Sequence, residues 1–432
     1  MISPVYLLVA IVIMVLLLLG GFWISFAIGT GGIISLYFVL KEATLMMYGL
    51  MGWDTGTSYV LMALPLFIFV GEFIAATGLT HYLYSGASKI TKGIPGGLIQ
   101  TNVFACAVFA ACIGSSSASA ATMGRVAYEE QVKKRGYHPG LVLGSIAGGG
   151  TLGILIPPSI FFIIYGSIAD QSIGKLFIGG IIPGIVITIM FMIYVGIFSF
   201  LKPERFEKQS DDIKLTHRIS GFIDLWPFIL LIILVLGAIY GGIATPTEGA
   251  GVGAFIVILM SIFWRRFTWK RLFKASLNSV RTNSMIFLIM INAKVLSVAL
   301  GYYGIADFLE EYAKLIEHPA TLIAVISVIY LILGTFFDDF SILILMLPFI
   351  LPMVKAAGFD LVWFGVYVCI LLEAGLLSPP VGMNLFVLQG VTGAPFSQIV
   401  WGSIPFFFIL LLGNVIIFLM PELVLWLPGV MK

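Results

Sequence analysis

The sequence predicts an all-α polytopic membrane protein made of two repeats, each holding a re-entrant hairpin and a helix broken at a Pro-Pro pair. Three observations carry that prediction. First, the chain is 60% hydrophobic and 10% charged, with a mean hydropathy of +1.10, where soluble domains carry about 25% charged residues. Second, the apolar stretch from Gly144 to Phe161 contains a run of glycines and then Pro157 and Pro158. Third, the same grammar returns from Leu371 to Phe386 around Pro379 and Pro380. Proline donates no amide hydrogen and its ring clashes with the carbonyl four residues back, so a helix must break at each pair. Carbonyls freed in hydrocarbon cost several kcal/mol each unless protein, water or an ion satisfies them. Two such breaks in corresponding halves point to the binding site of an inverted-repeat secondary transporter.

At roughly 20 residues per span, a chain of 432 residues has room for about a dozen crossings and for no large soluble domain. The lipid bilayer is therefore its surroundings. The net charge of +2 singles out no partner by its sign, and no nucleic acid is expected. Residues 5–24 precede the first charge, Lys41, and read as a retained first span rather than a cleaved signal peptide. Cys106, Cys112 and Cys369 sit in apolar surroundings without metal-ligand spacing and read as inert packing. The histidines, His81, His138, His217 and His318, form no cluster. No transition-metal site is expected.

The first repeat is expected over residues 1–201, with spans near 5–24, 28–50 and 59–78, a hairpin at about 94–122, a broken helix at 144–168 and a long span at 175–201. The patch from Gly114 to Thr122 is small and polar, and its flanks are too short for two full crossings. A hairpin tip fits, because small side chains let backbones approach and hydroxyls satisfy exposed groups. Residues 202–225 read as a polar cytoplasmic linker, mixing Lys202, Arg205, Lys208, Lys214 and Arg218 with Glu204, Glu207, Asp211 and Asp212. The second repeat is expected over 226–432, with scaffold spans at 226–243, 246–264 and 284–300, a hairpin at about 321–354 and a broken helix at 361–390. Two spans separate the linker from a second basic stretch, Arg265 to Lys274. Both therefore lie on one face, which the positive-inside rule makes cytoplasmic. Val132 and Val354, Gly136 and Gly358, Pro157 and Pro379, and Pro183 and Pro405 are each 222 residues apart. Inverted topology is the usual arrangement for such repeats.

The strings Ala105-Cys-Ala-Val-Phe-Ala-Ala-Cys-Ile-Gly-Ser-Ser-Ser-Ala-Ser-Ala, Gly153-Ile-Leu-Ile-Pro-Pro-Ser-Ile, Thr245-Pro-Thr-Glu-Gly-Ala and Ser378-Pro-Pro-Val-Gly-Met-Asn-Leu-Phe resemble the large membrane subunit of a TRAP (tripartite ATP-independent periplasmic) transporter. The likeness covers essentially the whole chain. It implies an elevator-type secondary transporter of the bacterial inner membrane, driven by a sodium gradient. It also implies a small four-helix membrane subunit, here a separate chain, and a soluble periplasmic substrate-binding protein. At the second hairpin this chain has Asp338-Asp339-Phe340-Ser341, where the C4-dicarboxylate branch of the family tends to carry Glu-Pro-Ser-Ser. A sugar acid, a keto acid or a small sulfonate therefore stands beside succinate as the organic anion.

The candidate residues follow from the same features. Ser115, Ser116 and Ser117 offer hydroxyl and carbonyl oxygens of the kind a hard cation such as Na⁺ prefers; close helix packing is the structural alternative. Carbonyls released ahead of Pro157 and Pro379, near Gly153 and Gly375, extend the sodium set, as do Gly334, Thr335, Asp338 and Asp339 at the second tip. Na⁺ is thus expected at the two hairpin–break junctions. The amino ends of the following half-helices favour an anion, which makes Ser119, Ser159, Ser378 and Asn384 the substrate candidates, with Ser159 and Asn384 expected one turn into those half-helices. Glu373 is a further acidic candidate beside Glu72 and Glu248, because an ionisable group in an apolar segment is functional by default. Lys294 is expected to pair with an acid, to counter the anionic substrate or to snorkel, and Arg125, directly after the first hairpin, to serve as a cytoplasmic topology charge or an anion contact. Two other readings stay open: a stand-alone sodium–carboxylate symporter, and an intramembrane aspartyl hydrolase using Asp338 or Asp339.

Overall fold

The computed structural model describes residues 4–206, 215–316 and 318–430, and among these every regular element is helical. The chain opens with α1 (Pro4–Leu19), α2 (Ile24–Leu40) and α3 (Thr44–Gly56), followed by α4 (Ala63–Thr77) and the short α5 (Thr80–Thr91). The first hairpin is α6 (Leu98–Ile113) and α7 (Ser116–Ala127), extended by a π-helical turn over Tyr128–Lys134. The first broken helix is α8 (Pro139–Leu155) and α9 (Ile160–Ala169), which meet at 40°, and α10 (Ile173–Leu201) is the long helix after it. Next come α11 (Leu215–Tyr240), α12 (Pro246–Phe263), α13 (Trp269–Tyr302) and the short α14 (Ile305–Lys314). Then the pattern recurs: hairpin α15 (Pro319–Gly334) and α16 (Asp339–Ala356), broken helix α17 (Leu361–Leu376) and α18 (Met383–Thr392), long helix α19 (Phe396–Leu419), with α20 (Glu422–Val430) closing the described chain.

The broken helices occupy the centre. Every residue of α17 is buried, and so is α8 from Val142 to Leu155. Both are apolar on almost every face, as a helix enclosed by others is, with Glu373 the one charged side chain in either. Hairpin arms α6 and α7 flank α8, and α19 crosses it on another side, while α15 and α19 flank α17. A second group of helices packs largely within itself: α13 lies along α2 and α4, α12 against α4, and α11 against α5. On α10, Ile185, Ile189, Ile193 and Ile197 recur every four residues and are each at least half exposed. That spacing puts them on one helix face, an apolar stripe suited to lipid.

The crossing of α8 and α19 is set by glycine. A methyl group on Gly402 would stand 1.9 Å from the Gly140 carbonyl oxygen, and one on Gly144 would stand 2.0 Å from that of Gly402. Backbones this close leave no room for any side chain.

Several boundaries differ from the sequence expectation, for identifiable reasons. Among the described residues eight helical segments are long and apolar enough to cross a membrane, or nine if α8 and α9 form one span, fewer than the dozen expected, because α1, the hairpin arms α6 and α15 and the half-helices α17 and α18 are each too short to cross alone. The first hairpin runs on to Ala127, so Arg125 lies inside α7 rather than after it. The basic residues Lys270, Arg271 and Lys274 are the opening turns of the 34-residue α13, not a loop, because Thr268 caps that helix ahead of them. Helix α11 begins at Leu215, inside the stretch expected as linker. Glu207, Lys208, Asp211, Asp212 and Lys214 of that linker lie outside the described residues. Glu248 acts structurally, since it forms with Thr245 the capping box that starts α12.

The glycine crossing yields a stability prediction. Gly402→Ala is expected to lower the stability of the folded chain by about 1–3 kcal/mol, the usual cost of overpacking against backbone. Gly251→Ala on α12, where an added methyl meets nothing within 4 Å, is expected to cause no loss. Thermal unfolding of both variants in detergent checks this, and equal melting temperatures for Gly402→Ala and the parent would refute it.

Candidate functional site

The site is built where hairpin tips meet breaks. Helix α6 ends on Gly114, whose positive φ of 68° turns the chain at no steric cost. Ser115 then caps α7, accepting from the Ala118 amide. In the second hairpin Asp338 plays the same part for α16, accepting from the Ser341 amide at 3.1 Å. Each tip is tied by backbone to its own break: the Ile160 amide donates to the Gly114 carbonyl, and the Gly382 amide, 222 residues later, donates to the Thr335 carbonyl at 3.1 Å. Two glycines allow this approach. A methyl on Gly153 would stand 2.5 Å from the Ser115 carbonyl oxygen, and one on Gly375 would stand 2.7 Å from the Gly334 Cα. Gly153, Gly334 and Gly375 thus serve contact between backbones.

The breaks are largely healed from within. The Ser159 hydroxyl donates to the Ile154 carbonyl, four residues before Pro158, and accepts from the Phe162 amide. The Cys369 thiol reaches the same carbonyl from the other repeat at 3.4 Å. Ser378 donates to the Gly375 carbonyl, four residues before Pro379. Both candidate serines thus serve the broken backbone. Ser159 is the cap of α9 rather than a residue one turn inside it, and both serine protons are already engaged. The reason is that a buried backbone acceptor must find a partner.

Side chains then join the two repeats. The Ser116 hydroxyl donates to Oε1 of Glu373, and the Ser117 hydroxyl donates to Oδ1 of Asn384 at 3.2 Å. The first tip therefore faces the second break, and one shared centre replaces two separate junctions. Glu373 is 1% exposed and Asp339 5%, near enough to interact electrostatically, and neither is ion-paired among the described residues. Four buried polar atoms around this centre lack partners: Ser119 Oγ, Ser341 Oγ, Glu373 Oε2 and Asn384 Nδ2. A buried polar group calls for a partner, a water or an ion where the protein supplies none; six more such atoms lie elsewhere among the described residues, and here four come from the elements of one centre. Three are oxygens and one is an amide donor, which suits a hard cation beside an anion.

The remaining candidates separate. Asp338 and Thr335 are spent on cap and tip geometry, Thr335 Oγ1 donating back to Ile332. Lys294 pairs with Asp54 of α3, the first of its three expected fates. Glu72 accepts from Asn278 Nδ2 at 2.9 Å. Both line a cavity of about 370 Å³ between α4, the first hairpin, α13 and α16, whose inner end reaches Ser115, Ile160 and Phe340. Sequence reasoning missed Ser341 and the contact made by Cys369. The only signal for Ser341 was its place three residues after Asp338, the capped position.

Comparison with known proteins agrees with this architecture. Residues 11–423 match the family model described as tripartite ATP-independent periplasmic transporter, DctM component. The C4-dicarboxylate TRAP transporter large permease protein of Pseudomonas aeruginosa is 32% identical over 87% of this chain and 88% of its own length. The isethionate TRAP transporter permease protein of Oleidesulfovibrio alaskensis is 31% identical over 86% of this chain and 58% of its own length. The sialic acid TRAP transporter large permease protein of Vibrio cholerae is 29% identical over 86% of each. In fold, the chain resembles the YdaH transporter of Alcanivorax borkumensis, with a TM-score of 0.63 at 14% identity over 90% of both chains.

The Ser116–Glu373 bond is testable without any transport assay. Ser116→Ala leaves a buried carboxylate oxygen unpaired and is expected to cost about 1–3 kcal/mol of stability. In a Glu373→Leu background the same substitution is expected to cost much less. Thermal unfolding of the parent, both single variants and the double variant gives the coupling; additive losses would show that the two side chains do not interact.

Proposed function

This chain belongs to the DctM component family of tripartite ATP-independent periplasmic transporters, and from that membership we propose that it imports a small organic anion by sodium-driven secondary transport. It is a multi-pass transporter permease subunit and not an enzyme, as its relatives are, which retires the aspartyl hydrolase. Its partners in this reading are a small four-helix membrane subunit and a periplasmic substrate-binding protein that delivers the anion. Its place is the bacterial inner membrane.

The observation that carries the sodium coupling is the unpaired acid pair. Asp339 and Glu373 are buried at the meeting of first tip and second break, with the oxygens Glu373 Oε2, Ser341 Oγ and Ser119 Oγ unsatisfied beside them. Two carboxylates held ionised out of water need a countercharge, and in this reading Na⁺ supplies it, taking oxygen ligands as hard cations do. Ser115, Ser116 and Ser117 border that centre. The anion's place is the amino end of α18, where Asn384 Nδ2 is the unsatisfied donor. The names of the relatives, which cover C4-dicarboxylate, isethionate and sialic acid, support a carboxylate or sulfonate head group.

An elevator motion suits the packing. Tips and breaks are bonded into one central unit, so alternating access is proposed as sliding of that unit past the group formed by α2, α4, α11, α12 and α13. The two repeats are inverted in this scheme.

Reconstitution tests the proposal. With the small subunit and binding protein in proteoliposomes, an inward sodium gradient is expected to drive accumulation of one member of a radiolabelled panel of organic acids and sulfonates. Replacing external sodium by choline is expected to abolish it. Asp339→Asn or Glu373→Gln is expected to cut it at least tenfold, about 1.4 kcal/mol or more of lost stabilisation. Unchanged uptake in choline would sink the sodium coupling. Sodium-driven uptake without any binding protein would instead make the chain a stand-alone symporter.

A further inference from the structure

The cavity between α4, the first hairpin, α13 and α16 carries a charge arrangement that the hairpin–break centre does not explain. Arg125, in the last turn of α7, and Lys274, in the second turn of α13, both line it, with Glu72, Thr122 and Asn278 beside them and Ser115 at its inner end. Both cations are exposed, and among the described residues neither makes a hydrogen bond or an ion pair. The one carboxylate on the wall, Glu72, is already engaged by Asn278. Two helices from different packing groups thus present free positive charge to one gap. That gap ends at the first hairpin tip and at Ile160, the first helical residue after the first break.

We propose that this cavity is a vestibule for the transported organic anion, in which Arg125 and Lys274 form the countercharge that draws a carboxylate or sulfonate between the hairpin–break centre and water. The inference rests on the import reading for what passes through, not for the field itself. Two cations face one carboxylate across this cleft, and a net charge of one sign between low-dielectric walls focuses field lines and raises the local concentration of counter-ions. The guanidinium presents a planar fork to an oxyanion while the ammonium acts as a point charge, so the pair accepts a range of head groups. Because neither is ion-paired, no bond must break for the anion to engage. Because both are partly hydrated, it is free to leave. Lys274 belongs to the basic stretch that opens α13, and the positive-inside rule makes that end cytoplasmic, so the anion exits through the vestibule.

The local potential can be read without transport. Cys106, Cys112 and Cys369 are buried, so the thiol introduced by Thr122→Cys in the full chain reports the cavity. Its modification rates by an anionic sulfonatoethyl and a cationic trimethylammonium-ethyl methanethiosulfonate give a ratio that tracks the potential. Arg125→Gln or Lys274→Gln is expected to lower the anionic-to-cationic ratio by about tenfold, the scale of one partly screened charge at this range. Arg125→Lys is expected to keep most of the ratio, and added salt to compress it. A ratio unchanged within about twofold in both glutamine variants would overturn the vestibule, even if sodium-driven uptake proceeds. If uptake fails in reconstitution while the ratio falls as stated, the vestibule stands and the import reading falls.

Discussion

Everything in this fold answers to one constraint: backbone groups released at membrane depth by the Pro-Pro pairs must be satisfied by the protein itself. The structure meets that demand twice by the same device. A hairpin tip docks its carbonyl onto the amide two residues after the Pro-Pro pair, Gly114 with Ile160 and Thr335 with Gly382. A serine hydroxyl then closes a carbonyl on the near side, Ser159 onto Ile154 and Ser378 onto Gly375. Hairpins and breaks are therefore not independent features. Each exists to complete the other, and the glycines at 153 and 375 are the clearance that lets them touch.

What was legible in the sequence follows from what is local. The breaks, the hairpins and their order could be read because proline and glycine act on their own backbone, whereas the capping parts of Ser115 and Asp338 went unread because the same oxygens suit a cation. The partnership of Ser116 with Glu373 could not, since 257 residues separate them and no local rule sets which tip faces which break. Local signals also misled. The basic residues at the start of α13 look like a loop by composition, yet they are helical because Thr268 caps the turn ahead of them. Ser159 and Ser378 look like ligand donors until the buried carbonyls beside them are counted.

The two halves match in skeleton and differ in chemistry. At corresponding places the first tip carries serines and the second carries Asp338 and Asp339. The first break is closed by a serine after its prolines and the second by one before them. Symmetry of backbone thus coexists with asymmetry of charge, and among the described residues the buried acids, Asp339 and Glu373, both lie in the second half. The cross-repeat contacts bring the hydroxyl-rich side of one half against the acidic side of the other.

The length of α13 has a consequence for the lipid around the molecule. At 34 residues and 1.5 Å per residue it is about 50 Å long, against a hydrocarbon layer of about 30 Å. It outreaches the bilayer by several turns and carries its basic opening turns into the headgroup region. Hairpin arm α6, with 16 residues, spans only about 24 Å by the same rise and cannot reach across. A thicker or thinner bilayer leaves the long helix embedded either way, changing only how much of it stands clear. For the short arms the same change alters how deeply their tips are sunk. Acyl-chain length in the host membrane therefore bears on the hairpins and hardly at all on the post beside them.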